Sequence, residues 1–277
     1  MYSIFHFFDS LLHNREKFYK VKKLENFIYD EKLLSCKNSG IFPDMAIRLN
    51  AYPQELTGGE LIELKDSGSY TVSSFNSTIP SSKKKISRII QGEKSVIKEQ
   101  MEKVGDDIYS LPIRDVYYLV RGKKNKTIKV CLVHGSFFET TPIENLISQS
   151  FAQVLDERLL HSDIQLSDET RKSLLSIFSQ QENFSKVRNV DNASVKLRFR
   201  IMTEVKKEGN ILNPKLYPEI KDNSINLILP CYTETEREDS IRKVKNSTKP
   251  TNYKLLRSFL IKHPLNGPFL VFQTDLK

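Results

Sequence analysis

Asp44, Glu63 and Lys65 are the residues whose types and spacing could do chemistry in this sequence. Two carboxylates, the second followed two positions later by a lysine, suit hydrolysis of a phosphodiester. That reaction needs charge neutralised on the phosphate, a nucleophilic water and a stabilised leaving oxygen, and a divalent metal can serve all three needs. Magnesium takes oxygen ligands and keeps several waters. Asp44, Glu63 and the backbone carbonyl of Leu64 therefore form a candidate ligand set. Lys65 would hold the attacking water or neutralise the transition state, and a desolvated lysine there could act as base.

Strands must bring these groups together. From Asp44 to Leu49 the chain alternates, with Met45, Ile47 and Leu49 on one side and Asp44, Ala46 and Arg48 on the other, as a half-buried strand does. Residues 50–59, with Pro53 and Gly58-Gly59, turn the chain. A second strand over 60–66 sets Ile62 and Leu64 on one face, turned into the core, and Leu61, Glu63 and Lys65 on the other. Further elements are a helix or helix pair over 9–36, a third strand over 70–79 ended by Pro80, and a helix over 83–104. Strands over 116–121 and 127–138 follow, joined by the basic turn 122–126. The order is helix, three strands, helix, two strands.

Pro43-Asp44 followed by Glu63-Leu64-Lys65, on a hairpin set between helices, resembles the PD-(D/E)xK nuclease superfamily, and within it the type II restriction endonucleases. The resemblance covers about Leu24 to Phe138. It implies an α/β (α+β) fold with a central mixed β-sheet flanked by helices, a restriction-endonuclease-like core. It also implies magnesium held by Asp44 and Glu63, a water assisted by Lys65, cleavage of double-stranded DNA to 5'-phosphates, and a homodimer that cuts both strands. Some members use a glutamate from the helix before the hairpin. Leu24-Glu25-Asn26-Phe27-Ile28 is similar to that helix, which makes Glu25 a fourth candidate. Two other readings stand beside this one. A repair or junction-resolving nuclease would keep the site and read DNA structure. A non-catalytic basic DNA-binding protein would leave Asp44 as a strand cap and Glu63 with Lys65 as a solvated ion pair.

The 277-residue chain carries a net charge of +9, which makes a polyanionic partner reasonable. Asn76, Ser77 and Thr78 offer amide and hydroxyl groups that could read base edges. Lys83, Lys84 and Lys85, at the start of the expected helix over 83–104, would pair lysines with terminal backbone N–H groups against phosphate. Lys196, Arg198 and Arg200 lie at spacing two on one strand face and could follow a DNA backbone. The lysines of the turn 122–126 read as a solvated run. The histidines lack metal-ligand spacing, and no Gly-rich phosphate loop is present, so neither a zinc hydrolase nor a nucleotide cofactor is expected.

In the second half, helices are expected over 143–160 and 168–184, the latter started by Ser167-Asp168-Glu169-Thr170. Strand signals return over 195–205, 227–229 and 269–272, and the charged stretch 233–251 reads as a loop. We expect a nuclease core over 1–141 and an extension over 142–277 for DNA recognition or dimerisation, either as two domains or as one continuous domain. Three scattered cysteines, Cys36, Cys131 and Cys231, fit a reducing cytoplasm. The apolar start, residues 1–8, reads as packing rather than targeting, and no apolar run is long enough to span a membrane.

Overall fold

The computed structural model describes residues 33–35, 42–47, 59–76, 79–90, 98, 102, 109–139, 143–179, 188–191, 196–198, 202–248 and 250–276. In chain order the elements are β1 (Leu33–Ser35), β2 (Met45–Ile47), β3 (Leu61–Ser67), β4 (Ser74–Asn76), β5 (Lys83–Lys85) and α1 (Ile86–Ile89). Next come β6 (Ile113–Lys124), β7 (Thr127–His134), α2 (Ile143–Leu160), α3 (Asp168–Ser179), β8 (Arg188–Asp191), β9 (Lys196–Arg198) and β10 (Met202–Glu204). The chain closes with β11 (Ser224–Pro230), α4 (Glu234–Ser247), α5 (Pro250–Tyr253), β12 (Arg257–His263) and β13 (Gly267–Asp275).

Among the described residues, one mixed sheet runs β1-β2-β3-β6-β7-β11-β13-β12, with β5 added against β6. Two of its pairings, β3 with β6 and β7 with β11, are parallel; the rest are antiparallel. Both faces of its centre are buried. Leu61, Val116, Tyr118, Val133, Ile228 and Val271 face one core. Ile62, Leu119, Val130, Leu227 and Phe272 face the other. Strict alternation along each strand makes these two sets, and double burial explains the apolar run Leu227-Ile228-Leu229 within β11. Val244 and Ile241 of α4 pack on the second core, and Ile86 of α1 on the first. The architecture is therefore mixed α/β, a central mixed sheet flanked by helices. The sheet continues across residue 142, since β11, β13 and β12 extend it beyond β7.

Several elements stand where the sequence puts them. The β6–β7 hairpin turns at Asn125, whose φ of 56° is the left-handed conformation that asparagine tolerates. Helix α2 covers the expected span, and Ser167 caps α3 by accepting from the Thr170 N–H at 3.2 Å. No helix among the described residues is long and apolar enough to cross a membrane.

Others differ. Among the described residues of the stretch 70–79, Ser74–Asn76 form a strand, which pairs with β10 in a separate ribbon and not with the main sheet. Asn210 explains this. Its side chain accepts from the Val72 N–H at 3.2 Å and donates to the Tyr70 carbonyl at 3.0 Å, occupying groups that a strand partner would use. The third strand of the meander is β1, upstream of the motif. The helix expected over 83–104 does not begin with its lysines: Lys83–Lys85 form β5, antiparallel to β6, and α1 is one turn long. Lys98 and Glu102 further along are helical, with an ion pair at 3.6 Å. The expected strand over 195–205 is split between β9 and β10. The expected loop over 233–251 is helical. Thr233 and Glu236 form a reciprocal capping box at the start of α4, satisfying N–H groups that have no partner within the helix.

Candidate active site

The site grows from the point where β2 stops pairing with β3. Their ladder is Ala46 with Leu61 and Met45 with Ile62. One step further, the Asp44 side chain replaces backbone as acceptor: its Oδ2 takes the Leu64 N–H at 2.8 Å. A strand residue directs its N–H and carbonyl to the same edge, so the Leu64 carbonyl also faces the edge that Asp44 occupies. Pro43, preceded by a cis peptide bond, is buried beneath this corner.

The face assignment holds. Leu61 and Ala46 are buried in the first core, while Ile62 and Leu64 pack into the second. Glu63 and Lys65 accordingly share the Leu61 face. The Lys65 Nζ lies 3.0 Å from the Glu63 Oε1, with side-chain exposures of 19% and 13%. It also sits 5.1 Å from the centre of the Phe75 ring. Both contacts suit an ammonium. Leu61 is itself fully buried, because the sheet is covered on both faces.

Burial pushes the Glu63 carboxyl above its ordinary range; Lys65 opposes that shift, and the neighbouring Asp44 carboxylate reinforces it. The second Glu63 oxygen, Oε2, is buried without a hydrogen-bond partner. Two carboxylates meeting beside one lysine, with one oxygen orphaned, leave a local negative charge that a divalent cation would satisfy. Among the described residues no group of three or more His, Cys, Asp or Glu side chains is placed to hold a metal. Asp44, Glu63 and the Leu64 carbonyl are the groups here that could hold a divalent cation, with water in the remaining positions.

Tyr118 belongs to this site and was not singled out from sequence. It stands beside Glu63 in the β3–β6 register and is fully buried. Burial keeps its hydroxyl protonated, helped by the charges of Glu63 and Glu139. The hydroxyl oxygen accepts from the Ser81 N–H at 3.3 Å. Phe75 packs edge-on to Tyr118 with ring centres 5.0 Å apart, so one aromatic pair supports both Glu63 and Lys65. The alternation Val116, Tyr118, Val120 held the only sequence cue.

The expected DNA-contacting residues are less converged. Lys84 Nζ lies 5.0 Å from the Phe42 ring, two residues before Asp44. Lys83 is engaged with Asp115 at 3.6 Å, and Lys85 is exposed. All three sit on β5, and Lys85 is also the N-cap of the one-turn helix α1, so the lysines lead into a short helix rather than open a long one. Asn76 ends β4 opposite Met202, and Lys196 and Arg198 lie on β9 opposite β8. Glu25, Ser77, Thr78 and Arg200 lie outside the described residues.

Compared with family models, curated proteins and solved structures, the chain matches none.

The raised carboxyl has a stability consequence. A carboxyl whose folded pKa exceeds its unfolded value stabilises below the unfolded value, near 4.5, and that contribution is lost as pH rises through the folded value. At neutral pH the ionised Glu63 therefore destabilises the metal-free fold. Glu63→Gln is expected to be more stable than wild type at pH 7.5 by about 1 kcal/mol, a rise of about 2–4 °C in Tm. The difference should vanish below about pH 4.5. Thermal denaturation across pH without metal checks this, and a variant less stable than wild type at neutral pH would refute it.

Proposed function

We propose that this protein is a magnesium-dependent endodeoxyribonuclease of the PD-(D/E)xK type, with a restriction-endonuclease-like core in β1–β3, β6 and β7. The observation that carries the reading is the Asp44 carboxylate held on the Leu64 N–H, inside the Glu63-Leu64-Lys65 strand, with Glu63 Oε2 orphaned beside it. The sheet supports it: the motif hairpin β2–β3 completes the meander begun by β1 and is followed by a crossover to the parallel strand β6. A net charge of +9 fits a polyanionic substrate.

Asp44, Glu63 and the Leu64 carbonyl would hold the magnesium ion, which when bound supplies charge neutralisation and a more acidic water. The remaining work falls to the chain. Lys65, steadied by Glu63 and Phe75, orients the attacking water and balances charge as the phosphorus becomes five-coordinate. Tyr118 keeps the Glu63 side chain in place from below. A type II restriction enzyme acting as a homodimer is the form we favour, since two-fold symmetry matches cutting of both strands at a palindrome.

The test is incubation of supercoiled plasmid and genomic DNA with the purified chain, with magnesium and with EDTA. Discrete fragments carrying 5'-phosphates, formed only with magnesium, are expected. Salt-sensitive DNA binding without any cleavage would overturn the enzymatic reading.

A further inference from the structure

A cavity of about 280 Å³ has walls that include Phe75, Phe138, Glu139, Thr203, Glu208 and His263. Phe75 is common to both places: its ring lies 5.1 Å from the Lys65 Nζ and also lines this cavity. Phe138 is half-buried and packs edge-on against Phe75 at 5.1 Å. Aromatic walls with a few placed polar groups are the usual make-up of a small-ligand site.

The polar groups are specific. His263 is 1% exposed, and its Nδ1 accepts the N–H groups of Leu265 at 3.2 Å and Asn266 at 3.0 Å. Two donors on Nδ1 fix the ring proton on Nε2. Burial lowers the His263 pKa, opposed by the Glu208 charge, so the ring is neutral near pH 7. Its Nε2–H is buried with no acceptor, and the Thr203 Oγ1 in the same wall is also buried without a partner. Two orphaned polar atoms around one cavity are costly unless something fills it. Glu139, Glu204 and Glu208 outnumber the one lysine of the wall, Lys206, which makes the cavity a poor host for phosphate, and the three carboxylates are not grouped to bind a metal.

We propose that this cavity binds a single amino-bearing nucleobase: adenine, cytosine or guanine. The base plane rests on Phe138, as bases stack on aromatic side chains. A ring or carbonyl acceptor takes the His263 Nε2–H, and the exocyclic amine donates to Glu208, the pairing by which carboxylates read base amines. Thymine lacks that amine. The source of the base rests on the nuclease reading: a nucleotide extruded from the duplex beside the cut site would enter here, whereas a free nucleoside would bind without DNA.

Saturation-transfer NMR with deoxyadenosine, deoxycytidine, deoxyguanosine and thymidine tests the site without metal or cleavage. At least one amino-bearing nucleoside should be saturated and thymidine should not. Glu208→Gln should weaken binding about tenfold, the scale of one hydrogen bond to a charged group, with melting temperature confirming that it folds. No saturation by any nucleoside, or equal saturation by thymidine, overturns the proposal even if the chain cuts DNA. In the second arm, 2-aminopurine replaces each base in turn across a mapped cut site, with calcium in place of magnesium. A fluorescence rise lost in Glu208→Gln identifies the extruded base as the source. Nucleoside binding without that rise identifies the free nucleoside.

Discussion

Asp44→Ala is expected to lower magnesium-dependent DNA cleavage roughly 1,000-fold, the scale of losing one preorganised charged group at a reacting centre. The substitution removes a carboxylate ligand and also the acceptor of the Leu64 N–H. Asp44→Asn separates the two effects, because an amide oxygen can still accept from Leu64 while the charge is gone. It should fold as wild type does and cleave as poorly as Asp44→Ala. Lys65→Ala should lose cleavage on a similar scale for a different reason: the ligand oxygens remain, but the ammonium is absent. Calcium-induced stabilisation distinguishes them. By mass action, a cation that binds only the folded state raises its stability, so calcium should raise the melting temperature of wild type and Lys65→Ala and leave Asp44→Asn unmoved. Undiminished cutting by purified Asp44→Ala would end the site assignment.

The site was legible in the sequence because strand geometry has a period of two. Once residues 60–66 are a strand, Glu63 and Lys65 must share a face, and their 3.0 Å contact follows. What the alternation could not supply is the partner on the next strand. Tyr118 meets Glu63 only through the parallel register of β3 with β6, across 55 positions of sequence. Lys83–Lys85 misled for a related reason. Three lysines before an isoleucine-rich stretch carry no strand signal of their own, and only the ladder to Ile113, Arg114 and Asp115 makes them extended. Tertiary pairing overrode local composition there. Helix α4 is the opposite case: its charge suggested a loop, yet the Thr233-to-Glu236 spacing is a local start signal that outweighs it. The aromatic cavity was invisible, since Phe75, Phe138, Thr203 and His263 share no spacing in the chain.

Gly135→Ala should have the largest effect of any single methyl group we can identify. A Cβ at this position would lie 2.0 Å from the Ser81 carbonyl oxygen, 2.8 Å from its carbon and 3.1 Å from the Ser82 Cα. All three are backbone atoms, so no rotamer change relieves the clash, and the segment at 81–82 must move. That segment is fixed on three sides. The Ser82 carbonyl accepts from the Val116 N–H at 2.8 Å, the Ser82 N–H donates to Glu139 at 2.8 Å, and the Ser81 N–H donates to Tyr118 at 3.3 Å. Overpacking costs about 1–3 kcal/mol and each lost hydrogen bond about 1 kcal/mol. A loss of about 3 kcal/mol or more is expected, lowering Tm by about 6–12 °C. Gly68→Ala is the control: nothing lies within 4 Å of its added Cβ, and it should melt with wild type. Because the displaced segment carries the hydrogen bond to Tyr118, which flanks Glu63, Gly135→Ala should also cleave DNA more slowly at temperatures where it remains folded. Cleavage at 20 °C beside a melting curve tests both halves, and a Gly135→Ala protein that melts with wild type would mean that the 81–82 segment does not hold the Tyr118 side of the site.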